Sequence, residues 1–379
     1  MTRFASSLSR HPVASHAVGE TAGAVMEALG AEDPDLVVCF ASPHFAGAFD
    51  DMTHALRNLL DPRVMVGVTV VAVVGVGQEV EDGPAFSMFA ACLPDARLVP
   101  ARLEVEQTPD GDAIVGWPEL DDGPSSLILL ADPFSFPVEG LLRRLNEDRP
   151  GLPVIGGMAS AARGPGGNRL VLDDEVTDRG AVGVFVEGAG LHAVVSQGCR
   201  PIGNPYVVTE SDRNLVSQLA GRPALERLRE LAADVSDEDR ELLQQGLHVG
   251  VVVDEQRDEF RRGDFLVRNV IGADRATGAI AIGERVPVGR TLQFHVRDAA
   301  AADEDLRALL DGERAEAALL FTCNGRGQRL FGTPDHDAAV LAELLGPVPA
   351  AGGFCAGEIG PIGGQSFLHG FTASVALFT

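Results

Sequence analysis

Apolar residues in this chain fall into short blocks rich in Val, Ile and Leu, separated by polar loops and stretches with helical spacing. Asp35–Phe40 (DLVVCF) shows no alternation and many β-branched residues, the pattern of a strand covered on both faces. A Ser-Pro-His loop follows, then a predicted helix around Asp50–Leu60. VMVGVTVVAVVGVG holds too many β-branched and glycine residues for a helix and predicts strand and turn. Ser125–Phe134 (SSLILLADPF) opens a second unit: a helix over VEGLLRRLNEDRPG ending at Pro150, then LPVIGGMASA, a glycine-rich hairpin and the strand GAVGVFVEG.

The C-terminal end repeats that grammar. EAALLFTC predicts a strand, DHDAAVLAELLG a helix, VPAAGGFCAGEIG a strand running into glycines, and HGFTASVALF a closing strand. Matching order with little matching sequence points to two related lobes built from one ancestral unit. Between them, Val195–Asn214 carries the Gly, Pro and Asn load of a connection, followed by a predicted helix over Leu215–Ala233. Four antiparallel strands are then expected in LHVGVVVDE, DFLVRNVIG, AIAIGE and RTLQFHVRD. The last places Leu292, Phe294 and Val296 on one face and Gln293, His295 and Arg297 on the other. The expectation is an α/β protein with mixed and antiparallel sheets flanked by helices in a layered sandwich, divided into lobes 1–198 and 199–379.

Composition narrows the function. With 379 residues and 45% hydrophobic content, the chain can bury a large interior. Thirty basic against 55 acidic residues give a net charge of −25, which argues against nucleic acid or an anionic membrane as partner. Every basic residue counted is Arg, so a Walker A lysine, a Schiff-base lysine and a Ser–Lys dyad are excluded. Cys39, Cys92, Cys199, Cys323 and Cys355 form no CxxC pair, so neither a zinc ribbon nor a disulfide framework is indicated. The first twenty residues lack an apolar signal-peptide core, and the longest apolar run, Val64 to Gly77, is too short to span a membrane. A reduced, cytoplasmic protein is expected.

Candidate chemistry concentrates in Leu319–Gly332 (LLFTCNGRGQRLFG) and Gly352–Gly364 (GGFCAGEIGPIGG). A dinucleotide loop fails, because the sixth position after Gly325 and Gly327 is Leu330. Either these glycines only shape a turn, or they let a ligand approach Arg326, whose planar fork of donors suits a carboxylate. Glu358 is the only charge in its glycine-rich stretch and needs a partner: Arg326, Arg297 or a ligand cation. Arg326 and Glu358 together would suit a small zwitterion, with Arg297 and Asn324 as further candidates. A cysteine nucleophile, Cys323 or Cys355 with His336 or His369 as base, stays open. Asp335-His336-Asp337 is read as an Asp N-cap in preference to a metal cluster, and His44 in ASPHFAG as a loop residue or an axial ligand.

The same stretches carry a family resemblance. LHVGVVVDE, GDFLVRNVIGAD, LQFHVRDA, LLFTCNGRGQRLFG and GGFCAGEIGPIGG resemble the C-terminal half of FIST-domain proteins. FASSLSRHP, PDLVVCFASPH, GVGQEVEDGPAFSMFAACLP and VIGGMAS are similar to the N-terminal half. The resemblance covers nearly the whole chain and implies a stand-alone bacterial member without effector segments. It also implies a cytoplasmic sensory module for a small ligand such as an amino acid, acting on a downstream signalling protein and without catalysis of its own. Some bacterial members are described as haem-binding nitric-oxide sensors, for which His44 is the candidate ligand here; eukaryotic members join the module to ubiquitin-ligase components. The expected ligand set is Cys323, Asn324, Gly325, Arg326, Gly327 and Glu358, with Arg297.

Overall fold

The computed structural model describes every residue except 31, 110, 121, 122 and 124. It divides into two compact units. The first comprises 1–195, 306–368 and 372–379; the second comprises 196–305 with 369–371. These units are cut differently from the lobes 1–198 and 199–379, because the last strands of the chain belong to the first unit. The class is α/β with mixed and antiparallel sheets, and no helix among the described residues is long and apolar enough to cross a membrane.

The first unit contains the repeated grammar three times. The first copy runs β1 (Arg3–Ser9), α1 (Ala14–Leu29), β2 (Leu36–Ala41), α2 (Phe49–Leu60), β3 (Val64–Thr69), the hairpin β4 (Val73–Gly75) and β5 (Gln78–Val80), and β6 (Phe86–Cys92). The second runs β7 (Arg97–Thr108), β8 (Gly111–Val115), β9 (Ser125–Ala131), α3 (Val138–Asp148), β10 (Val154–Met158), the hairpin β11 (Leu170–Leu172) and β12 (Glu175–Thr177), and β13 (Ala181–Glu187). β14 (Leu191–Gln197) opens the third copy. The second unit interrupts it with β15 (Cys199–Asp212), β16 (Leu215–Leu219), β17 (Arg222–Pro223), α4 (Ala224–Asp234), α5 (Asp237–Gln245), β18 (Leu247–Val252), β19 (Phe265–Ala273), β20 (Ile280–Ile282) and β21 (Thr291–Arg297). The third copy resumes with α6 (Ala299–Leu310), β22 (Ala317–Cys323), α7 (Gln328–Phe331), α8 (His336–Leu345), β23 (Ala350–Cys355), the hairpin β24 (Glu358–Ile362) and β25 (Gln365–His369), and β26 (Thr372–Phe378).

The likeness expected between 125–187 and the C-terminal segment is therefore present, and 36–92 supplies a further copy. In each copy a parallel pair is joined by a helix: β2–β3, β9–β10 and β22–β23. The hairpins are exchanged in a cycle. β4 pairs with β23, β11 with β3, and β24 with β10, so each copy completes another copy's sheet.

Alternation along these strands sorts side chains between cores. Val38, Phe40, Ile128, Leu130, Leu319 and Phe321 meet in one inner cluster shared by the three sheets. The intervening residues, such as Val37, Cys39, Leu127, Leu129, Ala318 and Leu320, pack outward beneath the helices. α2 shows why the helices form. Phe49, Met52, Thr53, Leu56 and Leu60 make one buried stripe, Asp50 and Asp51 favour the positive end of the helix dipole, and Asp61 at φ +40° ends the turn.

In the second unit the strand order is β15-β21-β18-β19-β20-β16-β17, and β15 also pairs with β16, so the sheet curls back on itself. Leu292, Phe294 and Val296 enter its core, as their alternation predicts. The helix predicted over Leu215–Ala233 is a correction: its first part is β16, and α4 starts only at Ala224. Ala220 at φ +47° and Gly221 at φ +73° break the helical path, and Pro223 sets the start of α4.

Glycine at 352 is imposed by close approach. An added Cβ would lie 1.9 Å from the Leu320 carbonyl oxygen on β22. Gly352→Ala must push β23 from β22 and is expected to cost about 2–4 kcal/mol; a denaturant midpoint equal to that of the parent chain would refute this packing.

Candidate functional site

The two glycine-bearing loops leave the same edge of one sheet. β22 and β23 run parallel with Cys323 opposite Cys355, and the chain turns after each. The Asn324 N–H donates to the Cys355 carbonyl at 2.9 Å and the Arg326 N–H to the Cys323 carbonyl at 2.8 Å, which folds the loop back on the strand ends. Gly327 takes φ +63°, and a Cβ there would stand 2.6 Å from the Glu81 carboxylate, so the glycine serves both backbone conformation and space. Glu81 in turn accepts the Gln328 N–H at 2.7 Å.

This turn drives Arg326 inward. Its side chain is 0% exposed and forms a bidentate pair with Asp337, Nε to Oδ2 at 2.7 Å and NH2 to Oδ1 at 2.8 Å. Asp337 also accepts from Thr322 Oγ1 at 2.7 Å, and the His336 ring nitrogen stands 3.0 Å from its Oδ1. Phe331 lies 5.1 Å below the guanidinium and stacks on His336. Burial alone would raise the Asp337 carboxyl, but the Arg326 charge and hydrogen bonds, helped by His336 and Thr322, hold it below the ordinary carboxylate range. Burial opposes the Arg326 charge, yet Asp337 leaves the guanidinium above its ordinary value.

Two of the three Arg326 nitrogens are committed to Asp337, so its fork is only partly open to a ligand. Reading Asp335 as a side-chain N-cap is corrected. Asp335 stands at that position but caps nothing; its carboxylate accepts the Glu79 N–H at 2.6 Å. The acceptor at the start of α8 is Glu79, from the exchanged hairpin, which takes the Ala338 N–H at 3.0 Å. Burial and then the Asp337 charge push Glu79 up to about 8.

Glu358 is also 0% exposed. Its Oε2 accepts from the Thr372 N–H at 3.0 Å and the Thr372 hydroxyl at 2.8 Å. Burial pushes its carboxyl up to about 8, against the Thr372 hydrogen bonds, the Arg326 charge and the Cys323 thiol. Arg326 and Glu358 thus lie within electrostatic reach without forming an ion pair. Among the described residues, Arg326 NH1 and Glu358 Oε1 are buried atoms with no hydrogen-bond partner.

Geometry and family now meet. A family model for the FIST N domain matches residues 35–222 and one for the FIST C domain matches 224–361. The chain belongs to the FIST family. It is 44% identical over 383 residues to uncharacterized protein Rv0628c of Mycobacterium tuberculosis, covering 99% of each chain. It is 46% identical over 375 residues to uncharacterized protein Mb0898c of Mycobacterium bovis, covering 97% of this chain and 96% of the relative. FIST domains are in general sensory and signal-transduction domains.

The other candidates in this FIST chain separate from the pair. Asn324 is exposed at the loop tip and Gly325 is buried beneath it. Arg297 belongs to the second unit, where its guanidinium lies 5.6 Å over the Phe371 ring and helps depress the neighbouring His248. His369 is also assigned to that unit. Cys355 is a thiol pushed well above its ordinary value by burial, then by Glu358 and Cys323, the reverse of an activated nucleophile. His44 is exposed in a short turn after β2. It lines neither the apolar cavity of about 400 Å³ beside Leu341 and Val74 nor the open one of about 690 Å³ beside Arg149. Among the described residues no three His, Cys, Asp or Glu side chains are placed to hold a metal ion.

Folded Glu358 keeps its proton up to about pH 8, whereas the ordinary value is 4.5. Its stabilising contribution is therefore complete below pH 4.5 and disappears as pH rises through 8. Glu358→Gln should remove roughly 1–3 kcal/mol of that fall, read from urea midpoints between pH 5 and 9; an unchanged slope would show that Glu358 titrates normally. Asp337 acts oppositely, stabilising above the carboxylate range and losing its effect in acid. Arg326→Met, which leaves Asp337 buried and unpaired, should cost about 3–5 kcal/mol at pH 7.

Proposed function

We propose that the chain is a non-catalytic sensory module whose input is a small carboxylate, held where the β22 and β23 loops converge. The observation that carries this reading is the pair of buried, unpartnered atoms, Arg326 NH1 and Glu358 Oε1. Oε2 already accepts two hydrogen bonds from Thr372, so the proton that Glu358 keeps near neutral pH belongs on Oε1. The site then offers two donors, one of them cationic, to a single acceptor group. A carboxylate satisfies both, and the absence of charge on Glu358 removes the repulsion it would otherwise meet.

The same bookkeeping disfavours the amino-acid-like zwitterion. An ammonium needs acceptors, and the Asp337 carboxylate is occupied by Arg326, Thr322 and His336. Both donors lie below the surface, so the occupant is small and the loop at 324–327 opens to admit it. The signal that leaves the site would pass through α8, whose first turn carries Asp337, to a downstream protein.

Formate, acetate, glycolate and glyoxylate should raise the melting temperature at pH 6.5 in a saturable way, because a ligand that binds only the folded state stabilises it by mass action. The shift should vanish above pH 8.5, where Glu358 loses the donor, and should persist there in Glu358→Gln. Stabilisation by amines or zwitterions instead, or by no carboxylate, would overturn the reading.

A further inference from the structure

We propose that Cys323 and Cys355 form an oxidisable dithiol that a peroxide closes into a disulfide beside this site. The inference rests on strand register and is independent of the carboxylate reading. Cys323 and Cys355 are Cα partners on adjacent parallel strands. Such partners project to the same face and stand about 4.7–4.9 Å apart, inside the roughly 4.4–6.8 Å Cα span that a disulfide bridges. The Cys355 sulfur points into the space above Gly157 of β10, where a Cβ would meet it at 2.3 Å. The two thiols interact electrostatically, as neighbours must.

Their surroundings give them unequal roles. Cys323 is 7% exposed and Cys355 1%. The Arg326 charge acts on Cys323, whose sulfur stands 3.9 Å from Asn324 Oδ1. Cys323 therefore has a cation beside it that stabilises its thiolate. Cys355, deeper and held as a thiol, is the resolving partner. The Cys323 thiolate attacks one peroxide oxygen, the O–O bond breaks, and hydroxide leaves with the thiol's proton as water, giving a sulfenic acid. The Cys355 sulfur then attacks Cys323, the S–O bond breaks, and a second water carries away the Cys355 proton. Two thiols are oxidised to one disulfide and one hydrogen peroxide is reduced to two waters.

The test is mass spectrometry of the intact and digested chain after one equivalent of hydrogen peroxide, at pH 7.5, with dithiothreitol reversal. A loss of 2 Da (two hydrogens) and a single cross-linked peptide pair joining Cys323 to Cys355 are expected, both reversed by the reductant. In Cys355→Ser, Cys323 should instead stop as a sulfenic acid that dimedone labels. Both thiols remaining alkylatable on denaturation, Cys323 passing to sulfinic acid in the parent chain, or cross-links through Cys39, Cys92 or Cys199 would each overturn the proposal.

Discussion

One buried ion pair organises the candidate site. Arg326 and Asp337 are both fully enclosed, and a guanidinium without its carboxylate would be intolerable there. The pair fixes the glycine loop after β22 against the first turn of α8. Arg326 comes from the glycine loop after β22, Asp337 from the first turn of α8, and Thr322 from β22 itself. Glu79, on a hairpin from the first copy, caps the same helix turn beside them. Loss of any one partner leaves a buried polar group unsatisfied, so the arrangement is specified by mutual dependence.

The exchanged hairpins explain why that dependence reaches across the unit. A strand–helix–strand copy leaves one edge of its sheet open, and each hairpin closes the edge of another copy. For the third copy, the closing hairpin also brings Glu79 and Glu81 to the loop that carries Arg326. The corresponding strand end of the second copy is built differently. Asp132 there is satisfied by Asn168, Ser135 and the Phe134 amide. Unpartnered donor capacity at the third copy is thus a property of its loops, set on a scaffold that the copies share.

Much of the scaffold was legible in the chain. Runs such as DLVVCF, SSLILLADPF and EAALLFTC are strands because burial on both faces removes alternation, and their helices follow from stripe spacing. The first copy was harder to see, since VMVGVTVVAVVGVG fuses β3 with a hairpin that leaves for another sheet. Leu215–Leu219 read as helix because its apolar residues fit either period; Ala220 and Gly221, both with positive φ, decide for a strand. At the site, sequence singled out Arg326 and Glu358 and could not supply their partners. Asp337 was hidden inside a DHD triplet that also looks like a helix start, and Thr372 and Glu79 are remote in sequence from the groups they serve. Burial, which turns Arg326 from a ligand clamp into a paired cation with one nitrogen left, is invisible in a glycine-rich loop.

The account therefore turns on the protonation of one carboxyl group. If Glu358 carries its proton on Oε1 at neutral pH, the loop ends present two donors to an acceptor ligand; if it is ionised, they present a donor and an anion. A carbon-13 titration of the Glu358 side-chain carboxyl, followed by NMR with and without formate, measures this directly. The account predicts a midpoint near 8 in the free protein and a shift of that resonance when formate binds. A midpoint near the ordinary glutamate value of 4.5, with no response to formate, would contradict it.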